Sequence, residues 1–132
     1  MKNFTLSLCL LVALAFNASA QDAPKNEAVE KTSSSVSRLM VDAMGLNENE
    51  YLQVRTLNME RLSKAAEATK MYANDDENRE ARLREIEEEF ETKLFRILST
   101  RQLEAYAEFK AKPEGNFLTL VQEVTPKNKK KN

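Results

Sequence analysis

Residues 48–73 read ENEYLQVRTLNMERLSKAAEATKMYA, and their spacing decides the fold class. Stepped at about 100° per residue, Tyr51, Leu52, Val54, Leu57, Met59, Leu62, Ala65, Ala66, Ala68 and Tyr72 fall on one side of a helix. A helix from Glu48 to Ala73 is expected, roughly 39 Å long at about 1.5 Å per residue. Its apolar arc spans about 220°, whereas one neighbouring helix needs only about 100° of cover. Arg55, Asn58 and Thr69 interrupt the middle of that arc. Leu52, Arg55, Asn58, Met59 and Leu62 therefore form the candidate face for a client or a second copy of the chain. The plainer role for Arg55 and Asn58 is to snorkel or to pair across a helix interface.

Working outward, Asn74-Asp75-Asp76-Glu77-Asn78 is a turn by composition. A third helix is expected from about Asn78 to Leu98. Its apolar residues Leu83, Ile86, Phe90, Leu94 and Ile97 make a narrow seam of about 120°, like that of a coiled coil. The rest of this helix is charged, with Glu80 and Arg84, and Glu89 and Lys93, at the favourable i, i+4 spacing. The acidic run Glu85, Glu87, Glu88, Glu89, Glu91 points in several directions around a helix, which favours a solvated face over a calcium site. A short fourth helix, Thr100 to about Lys112, carries Leu103, Tyr106, Ala107 and Phe109 and ends at Pro113 and Gly115. Beyond it, residues 113–132 read as a tail with an apolar patch (Phe117, Leu118, Leu120, Val121) and a basic end (Lys127, Lys129, Lys130, Lys131). That end could touch anionic lipid headgroups, although a solubilising role is the simpler one.

Towards the N-terminus, Val36, Leu39, Met40, Ala43 and Met44 recur at three and four before Gly45, which predicts a short first helix with a glycine cap. Residues 21–34 are polar and without periodicity, as in a flexible leader. Before them, Lys2, the apolar stretch Leu6 to Phe16 and the small residues Ala18 and Ala20 follow the order of a cleavable signal peptide. Cleavage after Ala20 is expected, and with it a periplasmic location. The single cysteine, Cys9, would leave with that peptide, and Leu8 before it is too large for a lipoprotein signal.

The remaining 21–132 segment has no Cys, His or Trp. It thus has no thiol nucleophile, no imidazole base and no soft metal ligand, and it cannot use disulfides to offset a small core. No carboxylate pair stands apart from the many solvated ones, and two glycines do not make a phosphate loop. Neither catalysis nor a metal or cofactor is expected. Acidic residues outnumber basic ones between 33 and 112, which argues against nucleic acid as a partner. Met40, Met44, Met59 and Met71 suit either an adaptable binding surface or ordinary core filling, and core filling is the commoner use.

One design occurs twice. Leu46-Asn47-Glu48-Asn49-Glu50-Tyr51 opens the second helix and Leu98-Ser99-Thr100-Arg101-Gln102-Leu103 opens the fourth. Asn47 and Ser99 are N-cap residues, and Glu50 and Gln102 stand where a capping box needs them. Leu46 and Leu98 stand where a hydrophobic staple needs them, against Tyr51 and Leu103. Physics explains this pattern without a ligand.

Leu98-Ser99-Thr100-Arg101-Gln102, followed by Tyr106 and Lys110, resembles the LTxxQ motif of the Spy/CpxP group of small periplasmic helical proteins. Leu46-Asn47-Glu48-Asn49-Glu50 resembles a degenerate first copy. The resemblance covers residues 35–112. It implies an all-α subunit of four helices, the second and third packed as a long antiparallel hairpin, assembled as a homodimeric cradle. It implies either an ATP-independent chaperone for unfolded or stressed envelope proteins, or a regulator of one sensor protein such as a sensor kinase or anti-sigma factor. A structural envelope component is the third possibility. The zinc binding of some relatives does not carry over, because it uses His and Cys.

Overall fold

The computed structural model describes residues 26–126, and these residues are helical without a strand. Five α-helices run α1 Glu27–Met44, α2 Glu48–Met71, α3 Asp76–Phe95, α4 Thr100–Lys110 and α5 Phe117–Val124. A 3-10 turn, Pro113–Gly115, joins the last two. The signal peptide with Cys9, most of the leader and the basic end lie outside the described residues.

Two expectations are corrected. The first helix begins at Glu27 rather than near Ser35, so residues 27–34 belong to a helix and not to a leader. The tail's apolar patch is a fifth helix packed into the core, so the chain has five helices and not four. The physical reason in both cases is tertiary. The face of α1 buried by its neighbours runs Val29, Thr32, Ser33, Val36, Ser37, Met40, Met44, and half of it is hydroxyl-bearing. Small hydroxyl residues let two helices approach closely, yet they look like loop in a composition count.

Local chemistry sets each boundary. Asn26 caps α1 by accepting from the Val29 amide, and Gly45 ends it in the left-handed region at φ 64°, ψ 47°. Asp75 caps α3 by accepting from the Asn78 amide at 3.1 Å. Arg79 donates to the Tyr72 carbonyl and so braces the α2–α3 turn. At Gly115 a Cβ would lie 2.3 Å from the Phe109 carbonyl oxygen, so the return from α4 to α5 requires glycine.

α2 is the central element. It packs antiparallel against α1 on one side and α3 on another, and α5 covers it as well, while α4 lies against α1. Val54, Leu62 and Ala65 of α2 meet Val36 and Met40 of α1, Ile86, Phe90 and Leu94 of α3, and Leu120, Val121 and Val124 of α5 in one continuous core. The wide arc of α2 is thus covered from three directions within one chain. Met40 and Met44 fill the core, whereas Met71 is 72% exposed.

Candidate functional site

Two polar assemblies stand out, one at the end of the bundle and one inside it. At the end, both capping boxes close. The Glu50 amide donates to Asn47 Oδ1 at 2.8 Å, and the Asn47 amide and side-chain amide both donate to the Glu50 carboxylate. In the second box the Gln102 amide donates to Ser99 Oγ at 3.3 Å and the Ser99 amide donates to Gln102 Oε1 at 2.9 Å. Gln102 Nε2 then donates to Glu50 Oε2 at 2.8 Å, so the third residue of each box bonds the other. Leu46 and Leu98, the residues before the two caps, are both buried. The two copies of the motif, 52 residues apart, form one joint that fixes the start of α4 against the start of α2.

Inside the bundle a polar seam crosses from α1 to α4. Ser37 Oγ donates to the Ser33 carbonyl at 2.6 Å and accepts from Asn58 Nδ2 at 2.9 Å. Asn58 Oδ1 accepts from Arg61 Nε at 3.0 Å, and Arg61 Nη1 donates to Glu87 Oε2 at 2.9 Å. The guanidinium lies 3.7 Å from the centre of the Phe90 ring and 5.4 Å from that of Phe117. Arg61 is 3% exposed and Glu87 19%, so this is a buried ion pair flanked by aromatic faces. One turn along α3, Glu91 accepts from the Tyr106 hydroxyl at 3.2 Å and from Lys110, which brings in α4. The Ser33 hydroxyl is buried and finds no partner among the described residues.

Burial pushes the Glu87 carboxyl above its ordinary range, with the Arg61 charge opposing and Glu91 adding to the rise. Burial, reinforced by Glu87 and Glu91, pushes the Tyr106 phenol up as well. On the more exposed α2–α3 surface the opposite holds. Hydrogen bonds from Lys93 and then Lys64 lower the Glu60 carboxyl. Glu89 and Lys93 do not pair along α3 as their spacing suggested. Glu89 meets Lys64 and Lys93 meets Glu60, both across to α2.

The expected client or dimer face is divided by the structure. Leu52 is 51% exposed, and Arg55 and Met59 are half-buried. Asn58 and Leu62 are fully buried, so neither meets a client while the bundle stays closed. The physical ground for a second copy, an uncovered α2 arc, is removed because α1, α3 and α5 cover that arc. Arg61 was missed in the sequence, although at about 100° steps it falls between Val54 and Ala65 in the middle of the buried arc. Glu87 and Glu91 were read with the solvated acidic run. Their signal was register, since both lie within four residues of the seam residue Phe90.

Among the described residues no group of three His, Cys, Asp or Glu could hold a metal ion, and no helix is long and apolar enough to cross a membrane. Comparison with known family models, curated proteins and solved structures finds no match.

Proposed function

We propose that the chain is an exported binding protein of the Spy/CpxP type, acting in the periplasm without ATP or covalent chemistry to shield unfolded or stressed envelope proteins. The observation that carries this is the joint between the two motif copies, Gln102 to Glu50. It gives the repeated Leu-Asn/Ser-x-x-Glu/Gln pattern a paired role in one helical unit, as the resemblance implies. Client contact falls to the apolar side chains left at the surface, Leu39, Leu52, Met71, Phe95 and Leu118, and not to Asn58 or Leu62. Large apolar groups exposed on a small bundle are the chemistry of a binding surface.

A regulatory module for a single sensor protein is the second reading. The closure of the α2 arc favours it, because a general chaperone has use for a broad apolar face. Purified residues 21–132 tested against three unrelated aggregating clients separates the two. Suppression of all three, weakened by Leu52→Asp and Met71→Asp at unchanged melting temperature, is the expected result. Protection of none of them refutes the chaperone-type reading and leaves the single-partner regulator.

A further inference from the structure

We infer that the groove on α1 and α2 now filled by α5 is a docking site for an amphipathic helix of another protein, and that α5 is the occupant such a helix displaces. This deepens the binding-protein reading and rests on it.

The occupant shows what the groove accepts. α5 reads FLTLVQEV, and its buried residues Phe117, Leu120, Val121 and Val124 stand at i, i+3, i+4 and i+7. That is the anchor pattern of a helix laid in a groove. An eight-residue helix is not stable alone in water, so the groove supplies its order.

The attachment of α5 differs in kind from that of the other helices. Side-chain hydrogen bonds join α1 to α2 (Asn58–Ser37), α2 to α3 (Arg61–Glu87), α2 to α4 (Glu50–Gln102) and α3 to α4 (Tyr106–Glu91). Among the described residues, the polar side-chain bonds of the α5 segment are all internal, from Thr119 to Asn116 and from Thr125 to the Val121 carbonyl. α5 is therefore held by apolar contact and by the Phe117 ring over Arg61. Along its outer flank a cleft opens between it and α1, with Lys31 and Ser35 on one wall and Thr119 and Glu123 on the other. The tether is short, and Gly115 is seated on Phe109, so the hinge for release lies at Asn116, just beyond that contact.

Arg61 sets the partner's chemistry. When α5 leaves, the flank of the guanidinium that Phe117 covered becomes free while Phe90 and Glu87 still hold the other groups. The incoming helix thus carries an aromatic residue at its first anchor, followed by aliphatic residues at +3, +4 and +7. A basic residue at that first anchor is excluded by charge.

The probe is a fluorescein-labelled peptide of residues 112–126, titrated by anisotropy into the chain of residues 21–132. Leu120→Ala loosens α5 in place, and Glu108→Ala on the exposed face of α4 is the control. The Leu120→Ala chain is expected to bind the peptide at least tenfold more tightly than the unmodified chain, and Glu108→Ala equally to it. A peptide with Phe117→Lys is expected to bind at least tenfold more weakly. Equal affinity of the unmodified and Leu120→Ala chains overturns the proposal. So does loss of all helical circular dichroism in Leu120→Ala, which would make α5 an inseparable part of the core. A dimer by light scattering that Leu120→Ala converts to monomer also overturns it, by making the occupant a second copy's α5. The client assay is read separately. Peptide binding without client protection keeps the groove and refutes the chaperone-type function, whereas protection unaltered by saturating peptide keeps the function and removes the groove from it.

Discussion

The two sides of α2 solve one packing problem in different ways. Against α1 the interface is neutral and small, with Ser33, Ser37 and Asn58 fully buried and bonded through short hydroxyl and amide contacts. Against α3 it is charged, from the buried Arg61–Glu87 pair out to Lys64–Glu89 and Lys93–Glu60 at the surface. The neutral side depends on geometry and is insensitive to pH. The charged side fixes register by pairing signs, and it responds to any change that leaves one partner alone.

The largest expected effect comes from the charged side. Glu87→Ala strands a guanidinium that is 3% exposed, and breaking a buried pair in this way costs about 3–5 kcal/mol. Because Glu87 retains 19% exposure, a loss of about 3 kcal/mol is expected by urea denaturation. Replacing both members, Arg61→Met with Glu87→Leu, should recover most of it. If the single and double variants unfold at the same urea concentration, the pair does not set the stability of this side.

On the neutral side the expected effect is smaller. Asn58→Ala removes the partner of Ser37 Oγ and of Arg61 Nε and should cost about 1–3 kcal/mol, since buried polar groups are left unpaired. An Asn58→Ala loss exceeding that of Glu87→Ala would reverse the order of the two sides.

How much of this was legible follows from where each residue's partners lie. The α3 seam was readable because Leu83, Ile86, Phe90 and Leu94 form a narrow stripe whose period needs no knowledge of the neighbour. The capping boxes were readable because every bond in them closes within three residues. Their junction, Gln102 to Glu50, was not, because it spans 52 residues. The first eight residues of α1 were hidden because Thr32 and Ser33 are buried without being apolar. Arg61 was hidden for the converse reason, a charge in the middle of a buried arc whose counter-ion sits on another helix. α5 was visible as apolar composition, but not as the cover of α2.

The motif joint allows a test that lies between local and tertiary effects. Ser99→Ala removes one cap and should cost about 0.5–2 kcal/mol, and Asn47→Ala the same. If the boxes act as one joint, the double variant loses less than the sum, because either single change already loosens the Glu50–Gln102 bond. Strict additivity by thermal unfolding would make them two independent caps.

The smallest effect separates the two kinds of carboxylate by acid. Glu60, bonded by Lys93 and Lys64, has a folded pKa below its ordinary value of 4.5. Its contribution is complete above 4.5 and is lost as pH falls through the folded value. Glu87 has a folded pKa above 4.5, because burial outweighs the pull of Arg61. Its sign is opposite: the penalty for the buried charge is full above the folded value and is relieved as pH falls through it towards 4.5. Acidification from neutrality should therefore first hold or raise the melting temperature and then lower it below 4.5. Glu87→Gln should lose the early rise, because it has no proton to take up. Glu60→Gln should keep that rise and flatten the later fall. A Glu87→Gln profile that follows the unmodified chain throughout would mean that Glu87 titrates as a surface group, and that the α2–α3 interface is wetter than its Arg61–Glu87 geometry implies.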